Sequence, residues 1–324
     1  MCNRKSLHAL QPLLFFVLLI SFHSSAQIKW DGDAGDNQWM TAANWSGNVL
    51  PGITDDVILD NSFVSGSYGV VLPPGSILVQ IRSVSITPAT GNTIELNLPA
   101  TNVSVPALKI SGAIYGMVIG NGGVFKNSSG ADSGATVVIS DSLKINNGGR
   151  FIQNSVRSHA AVVMVLSKAP GTEEGIFEFD IPAASSTVSL SGRTYGKLLF
   201  SSTTMNGPVT YSGAGINRCT VKSDLQTGPG VTVSLNLDDT LFIGRDLLQQ
   251  GGTINLGNAA RTLVTVINRH WLQAPGAVLY ETGIAFPEII LNGSVNQQID
   301  CKGVIKDSIA VSYTHLTLPT KRIV

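Results

Sequence analysis

The chain has 324 residues, and its 21 Lys and Arg residues balance its 21 Asp and Glu residues, so the formal net charge is zero. Only 13% of residues are charged, about half the usual share of roughly 25%, and no basic patch interleaved with aromatic residues is present, which argues against nucleic acid as a partner. With 43% hydrophobic residues and 34 glycines, the chain is too apolar to be disordered, and its composition favours many short strands joined by tight turns.

Residues 1–26 predict a secretory signal peptide. Arg4 and Lys5 supply its positive region, residues 13–20 form an apolar run too short to span a bilayer, and Ala26 ends a group of small residues suited to cleavage. No later stretch predicts a membrane-spanning helix. We therefore expect export to the extracellular space or to the outer-membrane surface.

Residues 27–60 predict a cap over the first turn of a solenoid. A solenoid buries its core by stacking turns, so its first turn needs a cover, and large amphipathic rings suit that role. Three of the chain's four tryptophans lie in this short stretch. The predicted cap residues are Trp30, Trp39, Asn44, Trp45, Pro51 and Asp56. A platform on which tryptophan rings stack against sugars is the alternative.

The order of residues in this stretch also resembles a known opening motif. Trp-x-Gly, Asn-Trp-x-Gly and Asp-Asp-Val follow one another between residues 30 and 57. This pattern is similar to the start of β-helical surface proteins of the Bacteroidetes type and of some autotransporter passengers. The resemblance covers residues 30–59 and is diffuse afterwards. It implies a secreted or surface-attached β-helix.

Asp31, Asp33 and Asp36 are candidate calcium ligands. An EF-hand loop that begins at Asp31 would also need ligands at Gly35 and Ala42, which carry no side-chain oxygen, so that pattern fails. A looser calcium site and a solvated acidic turn remain as interpretations. No cofactor is expected, and no Cys or His spacing indicates zinc.

Residues 61–310 predict the turns of a right-handed parallel β-helix. Short apolar runs with period-two alternation, such as 231–233, are bounded by Gly, Asn, Pro or Ser. Similar strand-and-turn units begin at 141–145 and 239–243, which is typical of irregular repeats. Tandem β-sandwich domains are the alternative. The valine-rich run at 160–166 is predicted to be a strand, and no amphipathic helix is expected.

One acidic cluster supplies candidate catalytic residues. Glu178 and Asp180 are two apart on a predicted strand, so they would share a face at about 7 Å, which overlaps the separation of paired glycosidase carboxylates. Arg193 follows on the next unit, and parallel β-helix lyases combine acidic and basic side chains in a groove. The alternative is a solvated strand face, with Phe177 and Phe179 pointing into the core.

Three Asp–Ser/Thr–apolar triplets resemble the O-glycosylation signal of exported Bacteroidetes proteins. Their acceptor residues are Ser142, Thr240 and Ser308. A sugar requires an outward hydroxyl, which strand alternation allows if the following Leu or Ile points inward.

Residues 311–324 are predicted to be a non-native tail. Their Ser-Tyr-Thr-His-Leu-Thr-Leu-Pro-Thr core is similar to tails of reading frames that run into a sequencing adaptor. This resemblance implies a fragment of a longer parent, with a C-terminal sorting domain for type IX secretion.

These observations predict a secreted or cell-surface structural or adhesin-like β-helix protein without catalytic activity. Its expected partners are glycans or surface and matrix components. Two other classes of protein stay open, namely a polysaccharide-active β-helix enzyme (lyase or glycosidase) centred on the acidic cluster and a glycan-binding module that uses the tryptophans.

Overall fold

The computed structural model describes residues 27–112, 114–156, 159–166, 171, 173–259, 263–283 and 287–313. The predicted signal peptide and most of the predicted tail lie outside these residues. Within them the chain is built almost entirely from short strands, as the period-two alternation predicts.

The elements follow one another closely along the chain. The first half contains β1 (Gln27–Lys29), a 3-10 helix (Ala42–Asn44), β2 (Asp56–Leu59), β3 (Tyr68–Val71), β4 (Val79–Ile81), β5 (Ser83–Ile86), β6 (Ile94–Leu98), β7 (Leu108–Ile110), β8 (Met117–Ile119), β9 (Gly123–Asn127), β10 (Val137–Ile139), β11 (Leu143–Ile145), β12 (Arg150–Gln153) and the helix α1 (His159–Leu166). The second half contains β13 (Ile176–Phe179), β14 (Ser185–Thr187), β15 (Thr194–Tyr195), β16 (Lys197–Phe200), β17 (Val209–Gly215), β18 (Cys219–Val221), β19 (Leu225–Thr227), β20 (Val231–Leu237), β21 (Thr240–Ile243), β22 (Leu247–Gln249), β23 (Thr253–Ala259), β24 (Val264–Ile267), β25 (Trp271–Gln273), β26 (Val278–Gly283), β27 (Glu288–Leu291), β28 (Ile299–Cys301), β29 (Val304–Ile305) and β30 (Ala310–Tyr313).

These strands stack into the three faces of a solenoid. The first face, the long sheet, runs without a break from β3 through β6, β9, β12, β13, β16, β19, β22 and β25 to β28. The second face consists of β1, β2, β5, β8 and β11 and then of β15, β18, β21, β24, β27 and β30. The third face consists of β4, β7 and β10 and then of β14, β17, β20, β23, β26 and β29.

Paired strands in the described chain run parallel, which confirms the predicted parallel β-helix, and the solenoid has about ten turns. The turns differ in length: Thr232 pairs with Thr253, 21 residues away, whereas Val84 pairs with Met117, 33 residues away. The alternative of tandem β-sandwich domains is wrong, because such domains are built from antiparallel sheets.

The predicted strand at 160–166 is wrong, because these residues form most of α1. The helix lies between β12 and β13, packs against β10 and β11, and takes the place of a third-face strand. Its buried residues are His159, Val162, Val163 and Leu166, the spacing of one helical face. The pattern was hidden because Ala160, Ala161, Met164 and Val165, on the other face, are also apolar.

The core is formed by rows of inward side chains that repeat from turn to turn. One row of the long sheet contains Leu96, Phe125, Phe151, Phe177, Leu198, Leu225, Leu247 and Trp271. Within it the rings of Phe151 and Phe177 stack 5.0 Å apart. The next row includes polar side chains that bond along the stack, such as Gln273 Nε2, which donates to Gln249 Oε1 at 3.2 Å. This pairing offsets the cost of burying amides.

The predicted tryptophan cap is present at the N-terminal end. Trp39 donates its backbone N–H to Val71 of β3 at 2.9 Å, so the cap continues the long sheet by one pairing. The ring of Trp45 packs edge-on against Trp30 and Trp39, at centroid distances of 4.9 and 4.7 Å. The Asn44 amide, also buried, donates to the Gln38 carbonyl at 3.1 Å.

The other two predicted cap residues anchor the chain as it enters the first full turn. Pro51 is buried. Asp56 begins β2, and its carboxylate accepts hydrogen bonds from Arg82 and from the Ser83 hydroxyl on the next turn.

Candidate functional site

The predicted catalytic carboxylates lie around β13, but they do not form an open pair. Phe177 and Phe179 point into the core, as predicted, and Glu178 occupies the outward position between them. Its side chain is nevertheless only 1% exposed. Arg150, one turn earlier, forms an ion pair with Oε2, and the Ser201 hydroxyl donates to Oε1 at 2.5 Å. Both carboxylate oxygens are therefore occupied.

Asp180 is held in a separate network after the end of β13. The backbone N–H of Thr204 donates to Oδ1 at 3.1 Å, and the hydroxyls of Thr203 and Thr204 donate to Oδ2. Burial raises the pKa of Asp180, but these hydrogen bonds outweigh burial and hold the pKa below its ordinary value. The group is therefore an ionised, fully bonded carboxylate, which suits a structural anchor better than a general acid.

Arg193 is not among the partners of Glu178 or Asp180 in the described chain. It precedes β15, on the second face, whereas Glu178 lies on the long sheet. Its Nε is buried without a hydrogen-bond partner among the described residues. The base that pairs with Glu178 is Arg150, which sequence reasoning missed. The only sequence signal for this pair is its spacing of about one turn of the solenoid.

Ion pairs join different turns at the corner where the second face meets the long sheet. Lys222 Nζ lies 2.5 Å from the buried Glu173, two turns earlier, and Asp224 lies 3.6 Å from Lys197, one turn earlier. Asp246 binds the guanidinium of Arg269 through both oxygens, with Nε–Oδ1 at 2.6 Å.

The carboxylates of these ion pairs are buried, whereas the paired Lys and Arg side chains are partly exposed. Burial raises the pKa of Asp246, but the Arg269 guanidinium and the His270 N–H together lower it below its ordinary value. These ion pairs hold turns of the solenoid together, because each of the buried acids faces a base on another turn.

The tryptophans do not form a sugar-binding platform. Trp30, Trp39 and Trp45 are at most 1% exposed, and Trp271 is 2% exposed within the core row. A platform needs an open ring face, so the glycan-binding interpretation of these residues is wrong.

The predicted calcium ligands are partly engaged within the cap. Asp36 accepts hydrogen bonds from the Thr41 hydroxyl at 2.6 Å, the Asn44 amide at 2.6 Å and the Gln38 N–H at 2.9 Å. These bonds lower the pKa of Asp36. The described residues contain no cluster of three or more His, Cys, Asp or Glu side chains arranged to hold a metal. The looser calcium site at Asp31, Asp33 and Asp36 and the solvated acidic turn both stay open as interpretations.

Among the described residues, a shallow groove of about 360 Å³ crosses the outer surface of β22, β25 and β28. Leu248 and Leu272 are among its lining residues, and at one end Lys302 forms an ion pair with Asp300 at 3.0 Å. No pair of carboxylates and no histidine lines this groove. The groove therefore lacks a pair of residues that could act as general acid and general base.

The two described histidines each accept a backbone hydrogen bond, and the two described cysteines are not bonded to each other. The His159 Nε2 accepts the Ser189 N–H at 3.0 Å, and burial lowers the pKa of His159 to about 4. The His270 Nδ1 accepts the Gln298 N–H at 3.0 Å. Cys219 and Cys301 are both unpaired, and burial raises the pKa of the Cys219 thiol to about 12, so it is not a nucleophile at neutral pH.

The three O-glycosylation candidates differ in exposure. Ser308 is exposed and Thr240 is half-buried, with Leu241 pointing inward after it. Ser142 is buried, and its hydroxyl donates to Asp141 at 3.0 Å. An accessible hydroxyl is therefore present at Ser308, is partly accessible at Thr240, and is lacking at Ser142.

Comparison with known proteins gives no functional lead. No family model, no curated protein and no solved structure matches the chain. No helix among the described residues is both long enough and apolar enough to cross a membrane.

Proposed function

We propose that this chain is a secreted or surface-attached β-helix with a structural or adhesive role and no catalytic activity. The observation that carries this proposal is the state of the acidic cluster. Glu178 is paired with Arg150 and Ser201, and Asp180 is bonded to Thr203 and Thr204. A catalytic acid and base must exchange protons with a substrate. The oxygens of these carboxylates already accept hydrogen bonds from other residues of the chain.

The architecture supports the same role. Stacked turns give an extended, regular surface, which repeat proteins use for binding. The export and surface location that the first 26 residues predict would place this surface where glycans and matrix components are available.

A cleavage screen on the protein without its signal peptide tests the proposal. Neutral and acidic polysaccharides are incubated with the protein, and new reducing ends and unsaturated products are measured. We expect no release above the level of a buffer control. Cleavage that persists in Thr203→Val but disappears in both Asp180→Asn and Glu178→Gln would instead establish an enzyme. Circular dichroism of each variant separates lost chemistry from lost folding.

A further inference from the structure

The third face carries a regular array of hydroxyl groups that none of the sites above uses. In β14, β17, β20 and β23 the inward positions are mainly apolar, and most of the outward positions near the start of each strand carry Ser or Thr. The outward residues form two columns along the solenoid axis. The seven members of this hydroxyl ladder are Ser185, Thr187, Thr210, Ser212, Thr232, Ser234 and Thr253.

The spacing of the ladder follows from its strand register. β17 and β20 pair over seven consecutive residues without a shift, and β14 and β23 keep the same columns over three residues each. Neighbouring hydroxyls within a column are therefore about 4.8 Å apart, and the two columns are separated by about 6.6 Å. From Ser185 to Thr253 the first column extends about 14 Å.

The ladder is available to a partner. None of the seven hydroxyls forms a hydrogen bond with another described residue, and each side chain is exposed or half-buried. No charged residue occupies these positions. The corner between the second face and the long sheet has the opposite character, since its charged groups pair with each other.

The second column ends on an aromatic residue. Asn255 follows Ser234 in the column, and its amide is used within the fold, donating to Thr282 at 2.9 Å. Tyr280 pairs with Asn255 on the next strand and is half-buried. Tyr280 lies two strands beyond Ser234, about 10 Å along the axis, so its ring adds an apolar surface at the end of the column, which suits the apolar face of a sugar ring.

We propose that the hydroxyl ladder and Tyr280 bind a neutral, extended polysaccharide that lies along the solenoid axis. Hydroxyl groups both donate and accept, as the hydroxyls of a sugar do, and the seven ladder positions carry no positive charge that would favour an acidic chain. This inference rests on the adhesive role proposed above and names its ligand class.

The test is calorimetric titration of the protein with neutral β-linked hexasaccharides of glucose, xylose and mannose, and with hexagalacturonic acid. At least one neutral oligosaccharide is expected to bind and the acidic one is not. The double variant Thr210→Val/Thr232→Val keeps β-branched side chains but removes two hydroxyls. Its Kd should rise about tenfold, as expected for two lost hydrogen bonds. Thr220→Val, on the outer side of β18 in the second face, is the matched control and should bind normally.

Three results would overturn the inference: no binding of any neutral hexasaccharide, tighter binding of the acidic one, or equal affinities for the double variant and the control. Inhibition of ice recrystallisation without glycan binding would also overturn it, because it would assign the array to ordered water. Each of these results leaves the non-catalytic role standing, whereas polysaccharide cleavage in the screen above would remove that role even if the ladder binds glycans.

Discussion

Removal of the Trp45 ring is expected to open the N-terminal end of the solenoid. The side chain is fully buried, it packs edge-on against Trp30 and Trp39, and its Nε1 donates to the Trp39 carbonyl at 2.7 Å. Trp45→Ala loses the ring contacts, creates a cavity and leaves that carbonyl without its donor. Truncating a buried tryptophan costs about 3–5 kcal/mol, and the unpaired carbonyl adds about 1 kcal/mol or more.

The loss should be local, because each turn of a solenoid contacts only its neighbours. Hydrogen exchange and limited proteolysis should therefore show faster opening of residues 27–60, with little change in residues 225–256. Trp45→Phe, which keeps a ring but not the hydrogen bond, should fall between the wild type and the alanine variant. Met40→Ala is the matched surface control, since Met40 is 47% exposed within the same cap. If residues 27–60 resist proteolysis equally in Trp45→Ala and in the wild type, the cap assignment is refuted.

Three other outcomes follow from buried polar groups. Burial lowers the pKa of His159 from 6.5 to about 4. Between these two pH values the unfolded chain binds a proton at this histidine and the folded chain does not. Stability should then fall by about 3 kcal/mol as the pH drops from about 6.5 to 4; urea unfolding would show this, and a His159→Gln variant with the same pH dependence would contradict it. Lys222→Met leaves Glu173 buried without its base and should cost about 2 kcal/mol, between the values for exposed and buried pairs, whereas Lys222→Arg should restore thermal stability. Peptide mapping of protein exported from a native-type host should find sugar on Ser308 but none on Ser142, and a glycan on Ser142 would contradict its burial.

The acidic cluster shows why site chemistry was harder to predict than the strands. Alternation correctly placed Phe177 and Phe179 inside and Glu178 outside. It could not show that Arg150 would lie over Glu178, because that contact depends on the length of an intervening turn containing α1. The turns vary too much in length for spacing alone to identify partners.

The helix was missed for a related reason. Its buried residues have helical spacing, but the exposed face is also apolar, so periodicity could not distinguish a helix from a buried strand. Packing decides the matter: α1 replaces one strand on the third face, while the long sheet continues past it through the pairing of β12 with β13.

The sequence by itself determined the elements of local origin in this protein. Alternating apolar residues specified which side of most strands faces the core, turn residues separated the strands, and the clustered tryptophans marked the cap, because these features depend on a few neighbouring residues. Only the tertiary structure decided which residues meet from one turn to the next. The pairing of Glu178 with Arg150, the corner ion pairs and the hydroxyl ladder all join residues more than 20 positions apart. Their alignment depends on the summed length of every loop between them, which no local pattern contains.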